Sequence, residues 1–404
     1  MLDPTPVLAD LVRRPSVNPM GRDIAGPEYL EGRVTDHLVQ RFTAAGLPWA
    51  RQAVAPGRDN VVARLEATVR DAPLLLWDAH QDTVPVDGMT IEPFTPLVRD
   101  GRMYGRGTCD VKGGMAAMLL ALETLQASAQ PRRATVVFSA TVNEEFGFSG
   151  ARALARLWGE PAQAPADAPA HRLFGQRPVV AIVAEPTELD LVVQHKGAVR
   201  WRIRVRGRAC HSAFPEQGVN AIYPAGRVIL AIEELAAELL RRHADHPCGP
   251  PTLNLGTIHG GAGVNLVPDL TVLEVERRVL PGESPADARA EVMARIAAAC
   301  GAAADAVAHD PPFLESTGLA DAAGDPAAAP WLESLAAAAR AGGHAARRTA
   351  ARYGTNASVF AEAGVPSVVF GPGCIAQAHT ADEWIELAQV SAAAEALVAA
   401  VTGG

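Results

Sequence analysis

Short apolar runs rich in β-branched residues alternate along the chain with longer stretches rich in alanine and leucine. Four of the short runs predict buried strands, at residues 74–79, 135–141, 178–184 and 367–371. Two of the longer stretches predict helices, at residues 114–127 and 387–401. Because strands that alternate with helices build a sheet covered by helices on its faces, we expect an α/β fold with a mixed, largely parallel sheet.

The pattern changes between residues 197 and 312. A strand with arginine at every second position is followed by a helix, two strands and a second helix. These last four elements are predicted at residues 221–242, 252–260, 270–280 and 285–299. The order is typical of a small α+β unit of the ferredoxin-like type. We therefore expect two domains, one formed by residues 1–196 with 313–404 and the other inserted at 197–312.

Arginines at positions 200, 202, 204, 206 and 208 alternate with apolar residues in the first strand of the inserted unit. Alternate residues of a strand share a face, so these arginines predict a solvated face of a sheet. Two other stretches, Pro161–Ala170 and Ala320–Pro330, are rich in alanine, proline and aspartate without periodicity. They predict surface loops or linkers.

Composition narrows the classes of function. The chain has 404 residues, of which 49% are hydrophobic and 20% charged, as in globular proteins with more than one domain. Its formal net charge of -9 argues against a nucleic-acid partner or an anionic membrane surface, since both need a clustered positive field. No apolar run of about 18 residues and no basic leader is present, and the five cysteines show no CxxC spacing. We therefore expect a cytoplasmic protein.

Side chains that can bind metal or transfer protons follow each of the four predicted strands. In chain order they are His80 with Asp82, Glu144 with Glu145, Glu185, and His379. Asp110 lies in a glycine-rich turn before the predicted helix at 114–127. Because ligands of open α/β sheets bind beyond the carboxyl ends of the strands, we expect these side chains to converge.

Five carboxylates and two histidines in one place would repel one another unless cations compensate. A pair of metal ions is the simplest solution. Nitrogen and oxygen ligands without thiolate suit Zn²⁺, with Mn²⁺ and Co²⁺ as competitors. Asp82, two residues after His80, is expected to orient that ligating ring. Glu144 and Glu145 would point apart on an extended chain, so one can bind metal while the other serves as a base.

Five ordered motifs resemble those of the co-catalytic zinc hydrolases, the family that includes acetylornithine deacetylase, succinyl-diaminopimelate desuccinylase, aminoacylase and glutamate carboxypeptidase. The motifs are His80–Pro85, Tyr104–Gly107 with Asp110–Gly114, Asn143–Glu145, Glu185–Thr187 and Ala378–Glu383. The resemblance covers nearly the whole chain and is nearest to the branch of the first two enzymes. It implies a zinc-exopeptidase-like catalytic domain with an inserted lid and dimerisation domain, and hence a homodimer.

The resemblance also implies a role for each metal-site residue. The implied ligands are Asp110 as the bridge between two divalent ions, His80 with Glu185 on one ion, and Glu145 with His379 on the other. Glu144 is then the general base, which takes the proton of a water and delivers it to the leaving amine.

Residues outside the metal site are implied by the same resemblance. His211, in the segment Gly207–Ser212, would stabilise the tetrahedral oxyanion in the partner subunit's site. Arg278 would bind a substrate carboxylate with help from Asn265. Gly373 and Asn356 are also expected to contact the substrate. Related chains commonly have aspartate where this chain has Asn356.

The expected activity is metal-dependent hydrolysis of an amide bond in a small N-acyl amino acid that carries a carboxylate. A dipeptidase or a glutamate-type carboxypeptidase would use the same mechanism, and the sequence does not separate these alternatives. A third alternative is a catalytically silent relative that only binds small molecules. Such a relative would be expected to lose the base or a ligand, whereas Glu144 and the implied ligands are all present.

Overall fold

The computed structural model describes residues 2–159 and 168–403. Its helices are α1 (Thr5–Val12), α2 (Gly32–Ala44), α3 (Gly113–Ala127), α4 (Ser149–Gly159), α5 (Ala168–Phe174), α6 (Ile222–Leu239), α7 (Pro285–Cys300), α8 (Ala329–Ala341), α9 (Asn356–Glu362) and α10 (Leu387–Thr402). Residues 161–167 of the predicted loop Pro161–Ala170 lie outside the described residues. The other predicted loop, Ala320–Pro330, is irregular until α8 begins.

Strands of the first half of the chain are β1 (Trp49–Ala55), β2 (Arg58–Leu65), β3 (Leu74–His80), β4 (Leu97–Arg99), β5 (Arg102–Tyr104), β6 (Thr135–Thr141), β7 (Val180–Val183) and β8 (Leu191–His195). Those of the second half are β9 (Gly197–Arg206), β10 (Cys210–His211), β11 (Thr252–Gly260), β12 (Leu266–Val267), β13 (Leu270–Val279), β14 (Val307–His309), β15 (Leu314–Ser316), β16 (Arg348–Ala351), β17 (Ser367–Val369) and β18 (Trp384–Glu386).

Eight strands form the large sheet, in the order β1-β2-β6-β3-β7-β17-β8-β16. The four predicted strands are its centre, since β6, β3, β7 and β17 lie side by side and run parallel. Antiparallel strands flank them, so the sheet is mixed as expected. Every residue of β3 and β6 is buried, because both faces of the sheet are covered.

A smaller sheet contains β11, β13, β9 and β14 in that order, with β15 also paired to β9. All of its pairings are antiparallel. Trp201, Ile203 and Val205 of β9 are buried in one cluster with residues of α6 and α7. The arginines that alternate with them are partly exposed on the opposite face, which confirms the predicted solvated face.

The chain divides into two compact units. The first unit comprises Met1–Val193, Asp321–Thr349 and Thr355–Gly404, and the second comprises Gln194–Ala320 with Ala350–Gly354. The predicted inserted unit, 197–312, lies inside the second unit. Within the part of the chain that the structure describes, none of the helices could cross a membrane.

Candidate metal centre

Six of the predicted side chains converge beyond the carboxyl ends of the central strands, all of them in the first unit. His80 ends β3, Glu144 and Glu145 follow β6, Glu185 follows β7, Asp110 lies in the helical turn Thr108–Lys112 before α3, and His379 follows β17. Five of these side chains are nearly inaccessible to solvent, whereas that of His379 is 52% exposed. The site therefore opens to solvent on the side of His379.

Asp110 lies between two groups of ligating atoms. Its Oδ1 is 3.0 Å from Nε2 of His80, and the same nitrogen is 3.9 Å from Oε1 of Glu185. Its Oδ2 is 3.2 Å from Nε2 of His379, which is 3.3 Å from Oε2 of Glu145. Each oxygen of one carboxylate thus lies beside one histidine, and each of these histidines also approaches one glutamate, an arrangement suited to a bridging ligand between two ions.

The donor atoms are close enough to share metal ions. The ligand atoms of His80, Asp110 and Glu145 lie within 4.8 Å of one another, as do those of His80, Glu144 and Glu185. Oε1 of Glu145 is buried and has no hydrogen-bond partner among the described residues. Because a buried carboxylate oxygen without a partner is costly, this atom fits a cation ligand.

Burial raises the pKa of Glu144 and of Glu185 well above the ordinary value for glutamate. Although burial also raises the pKa of Asp110, hydrogen bonds from His379 and His80 outweigh it and lower that pKa. Hydrogen bonds to Asp110 and Glu145 raise the pKa of His379 to about 11. Without metal the cluster therefore offsets its negative charge by holding protons, which divalent cations would displace.

Glu383 supports the Asp110 turn, a role that the sequence did not assign. Its Oε1 accepts the N–H groups of Cys109 and Asp110 at 2.8 and 3.0 Å, and its Oε2 accepts that of Gly107 at 2.9 Å. Arg106 donates to Oε2 at 2.8 Å, so the buried carboxylate is paired. Arg106 and Glu383 each lie in one of the motifs that resemble the family, and those motifs were the only sequence signal for this contact.

Asp82 acts differently from the expectation. The His80 ring is oriented by the main-chain carbonyl of Asp82, which accepts from Nδ1 at 2.8 Å, whereas the Asp82 carboxylate is 3.8 Å from that nitrogen. That carboxylate instead accepts the backbone N–H groups of Glu144 and Glu145, both at 3.1 Å. Asp82 therefore fixes the turn that carries the two glutamates.

Asn356 and Gly373 are both buried in the first unit. Asn356 is 1% exposed, and its Nδ2 donates to Asp78 at 3.1 Å and to Thr141 at 2.9 Å. The structure thus places this side chain in a buried polar network instead of on a substrate-facing surface. Gly373 has a φ of 92°, and a β-carbon there would lie 2.7 Å from Sγ of Cys109, so close packing requires glycine.

The other predicted substrate residues lie in the second unit. His211 and Asn265 are exposed on neighbouring segments, where the N–H of Ser212 donates to the Asn265 carbonyl at 3.0 Å. Nδ1 of His211 accepts from the N–H of Ala213 at 3.0 Å, which leaves Nε2 as the nitrogen available for a ligand. Arg278 forms an ion pair with Glu276 at 3.0 Å.

Comparison with solved structures agrees with the fold. An M20 family metallo-carboxypeptidase from Sulfolobus solfataricus matches with a TM-score of 0.76 at 15% identity, over 100% of this chain and 99% of that chain. A dinuclear metal-binding peptidase of the M20 family from Bacillus subtilis matches with a TM-score of 0.61 at 17% identity, over 98% of this chain and 97% of that chain. At such identities the likeness shows the fold alone.

Sequence comparison identifies the family. The model described as peptidase family M20/M25/M40 matches residues 76–403. Acetylornithine deacetylase from Myxococcus xanthus is 31% identical over 378 residues, which are 91% of this chain and 92% of that protein. The predicted resemblance to the co-catalytic hydrolases is therefore confirmed, and the chain is a hydrolase that belongs to peptidase family M20/M25/M40.

Proposed function

We propose that this protein hydrolyses the amide bond of a small N-acyl amino acid, with Glu144 as the general base beside two divalent metal ions. The observation that carries the proposal is the position of Asp110, whose two oxygens lie beside His80 and His379, two histidines that each approach a different glutamate. The 31% identical acetylornithine deacetylase supports a deacylase-like activity.

In the proposed site, His80 with Glu185 would hold one ion, Glu145 with His379 would hold the other, and Asp110 would contribute a ligand to both. Nitrogen and oxygen donors without thiolate suit Zn²⁺, with Co²⁺ or Mn²⁺ as alternatives. When bound, the ions polarise the scissile carbonyl and make the attacking water more acidic.

Glu144 has the properties of a proton carrier. It is 8% exposed, and its backbone N–H is held by Asp82 at 3.1 Å. Burial raises its pKa well above the ordinary value for glutamate, the direction expected of a carboxylate that both accepts and releases a proton. In the proposed reaction it takes the proton of the water and gives it to the leaving amine, while His211 stabilises the oxyanion.

A cluster of cations in the second unit supports a substrate with a carboxylate. Nη1 of Arg278 and the carbonyl of Lys196 both lie within 4 Å of the position a β-carbon would take at Gly354. Burial lowers the pKa of Lys196, and Arg352 and Arg278 lower it further. No carboxylate among the described residues lies within ion-pair distance of Arg352. An anionic group beside Arg352 would relieve this repulsion, and we assign Arg278, which also pairs with Glu276 at 3.0 Å, to the substrate carboxylate.

A peptidase is the second candidate, because the same cation cluster would bind the terminal carboxylate of a peptide equally well. The fold match to a metallo-carboxypeptidase is compatible with it. A dipeptidase or glutamate-type carboxypeptidase would differ from a deacylase only in the group on the other side of the scissile bond.

We also propose a homodimer formed through the second unit. β11 is an edge strand of its sheet, and Ile258 on it is 46% exposed. Tyr223 and Leu230 of α6 are 73% and 59% exposed, and exposed apolar side chains that form one patch are typical of interaction surfaces. Light scattering should give twice the mass of one chain, and Leu230→Glu should halve it; a wild-type monomer would contradict the proposal.

The subunit that supplies His211 can be found by mixing inactive variants. If His211 serves the partner subunit's site, dimers of His211→Ala with Glu144→Gln contain one site with both residues intact. Such mixed dimers should recover part of the activity, whereas no recovery in demonstrably mixed dimers would place His211 in its own subunit's reaction or outside the reaction.

The deciding experiment is release of free amine from N-acetyl, N-succinyl and N-formyl amino acids and from dipeptides. Metal-stripped protein is assayed with and without added Zn²⁺, Co²⁺ or Mn²⁺. Turnover of one acyl class only with metal would support the deacylase, and turnover of dipeptides alone would favour the peptidase. Glu144→Gln should lower kcat by roughly 100- to 10,000-fold while metal binding is retained; unchanged turnover would exclude Glu144 as the base.

A further inference from the structure

The turn Asn143–Glu145, which carries the proposed base and one proposed ligand, is held by two buried carboxylates. Asn143 has a φ of 62°, and its N–H donates to Oε1 of Glu31 at 3.2 Å. The N–H groups of Glu144 and Glu145 donate to the two oxygens of Asp82, each at 3.1 Å. Three successive peptide N–H groups thus point at carboxylates, the arrangement that backbone turns use to bind anions.

Arg58 joins these two carboxylates through the side chain of Asn143. Its Nε donates to Oε2 of Glu31 at 3.0 Å, its Nη2 donates to Oε1, and its Nη1 donates to Oδ1 of Asn143 at 2.9 Å. Asn18 completes the network, since its Nδ2 donates to Oδ1 of Asn143 at 3.0 Å and to Oδ2 of Asp82 at 2.8 Å. The Glu31 side chain is fully buried and that of Arg58 is 11% exposed.

Burial of this charged network costs free energy, so a contribution to stability alone does not explain why the network is present. A buried ion pair is often no more stabilising than apolar residues of the same size, because both ions lose their hydration. Here Glu31 lies just before α2 and Arg58 begins β2, so both belong to elements that carry no proposed ligand. Their shared contact is Asn143, one residue before the proposed base.

We propose that Glu31 and Arg58 are positioning residues that fix the Asn143–Glu145 turn, so that Glu144 and Glu145 face the metal ions. The inference rests on the proposed roles of these two glutamates. Loss of Arg58 would leave Glu31 as a buried carboxylate without its ion pair, close to Asp82. Glu31 would then leave the turn, so the N–H of Asn143 would lose its partner and the Oδ1 of Asn143 would keep only Asn18.

The test compares Arg58→Met with the double variant Arg58→Met/Glu31→Gln. A glutamine side chain at position 31 can still accept from the Asn143 N–H, but it brings no unpaired charge. In Arg58→Met, kcat should fall and one Zn²⁺ should bind more weakly, each by about 10- to 100-fold, as for other residues that orient metal ligands. KM should stay within about twofold, and the double variant should recover most of both losses.

Zinc affinity is measured by competition with a chromogenic chelator, which needs no turnover. Arg41→Met is the matched control, because Arg41 lies on α2 and pairs with Glu123 at 2.6 Å without touching the turn. It should lower thermal stability but change neither zinc affinity nor kcat. If Arg58→Met loses only thermal stability, as this control does, the pair is merely structural and the inference is overturned. If the double variant recovers nothing, the ion pair does not act through the Asn143 N–H, which overturns it as well.

Glu145→Gln separates this inference from the proposed function. It should weaken the binding of one Zn²⁺ if Glu145 is a ligand. If Glu145→Gln leaves both zinc affinities unchanged, the proposed ligand set is wrong whatever Arg58→Met does. If Glu145→Gln weakens zinc and Arg58→Met does not, the proposed ligand stands and only the positioning role fails.

Discussion

Charged side chains are concentrated in two regions of the molecule, and the two regions differ in how these charges are compensated. On the exposed face of the smaller sheet, Arg200 pairs with Glu276 at 2.6 Å and Arg202 pairs with Glu274 at 2.7 Å, directly across β9 and β13. Each of these side chains is between 24% and 39% exposed. In the metal centre, buried carboxylates outnumber the histidines, and one carboxylate oxygen has no partner among the described residues.

The difference shows which charges the fold explains by itself. Paired, solvated charges need nothing further, because opposite charges on neighbouring strands compensate each other in water. Buried acids that remain in excess require protons or cations. The following predictions test this contrast, beginning with the largest expected effect.

Removal of metal should abolish turnover, and two equivalents per chain should be needed to restore it. Metal that binds only the folded state also stabilises it, by about 2.7 kcal/mol for a single site at a free concentration of 100 Kd. Metal-stripped protein should therefore melt at a lower temperature. Titration of Zn²⁺ into the stripped protein, followed by activity and by melting, checks both points. Full activity at one equivalent would contradict the bridging role of Asp110.

Asn356 tests what one more buried acid would do. Its Nδ2 is 3.1 Å from Oδ2 of Asp78. Asp78 is fully buried, and its Oδ1 also accepts from Ser139 and its Oδ2 from Thr141. Asn356→Asp would replace a donor by a second carboxylate, and an uncompensated buried charge costs about 3–5 kcal/mol. Urea unfolding of metal-free protein at pH 7.5 measures this loss.

The matched rescue is Asp78→Asn/Asn356→Asp, which exchanges the acid and the amide. It should recover more than half of the free energy of unfolding lost by Asn356→Asp. If the single variant is as stable as the wild type, or if the exchange recovers nothing, the contact between positions 78 and 356 does not set the preference for asparagine.

The central architecture could be predicted because it depends on local pattern. The strands β3 and β6 are buried throughout and mostly apolar, and the helices α3 and α10 are rich in alanine and leucine. The flanking strands β1 and β2 were not predicted, since their partly exposed residues lack a continuous apolar run.

Contacts between distant segments were the part of the site that sequence reasoning missed. The role of Asp82 was assigned by strand alternation, but β3 ends at His80, so the alternation does not extend to Asp82. Glu383 and Asp110 are 273 residues apart, and no local pattern relates them. Asn356 was placed by motif alone, whereas its burial depends on how α9 packs against β3 and β6.

His37 differs from both regions, because it is a buried titratable group that forms no ion pair with any described residue and is not a proposed ligand. Its ring is 7% exposed, and Nε2 has no partner among the described residues. Burial lowers the pKa of His37 to about 4, with Arg14 and Arg41 acting in the same direction and Asp10 against it. The unfolded chain therefore takes up this proton first as the pH falls, since its histidine has a pKa of 6.5.

The contribution of the neutral His37 ring to the free energy of unfolding should be fully present above about pH 6.5. It should be lost as the pH falls towards 4. The loss should be at most about 3 kcal/mol. His37→Leu should reduce the decline in unfolding free energy between pH 7 and pH 4.5, measured in urea on metal-free protein. Parallel curves for variant and wild type would show that other groups cause the acid sensitivity.

The smallest effect is expected for the paired charges of the second unit. A double-mutant cycle on Arg202 and Glu274, using Arg202→Met and Glu274→Gln, should give a coupling energy of about 0.2–1 kcal/mol. The side chains are 39% and 35% exposed, so added salt should reduce the coupling further. Zinc affinity and kcat should not change, because neither residue belongs to the proposed site.

A coupling energy above about 3 kcal/mol that is insensitive to salt would mean that this pair is desolvated in the protein in solution. The exposed face would then be covered by another surface, and the contrast with the metal centre would no longer be one between solvated and buried charge.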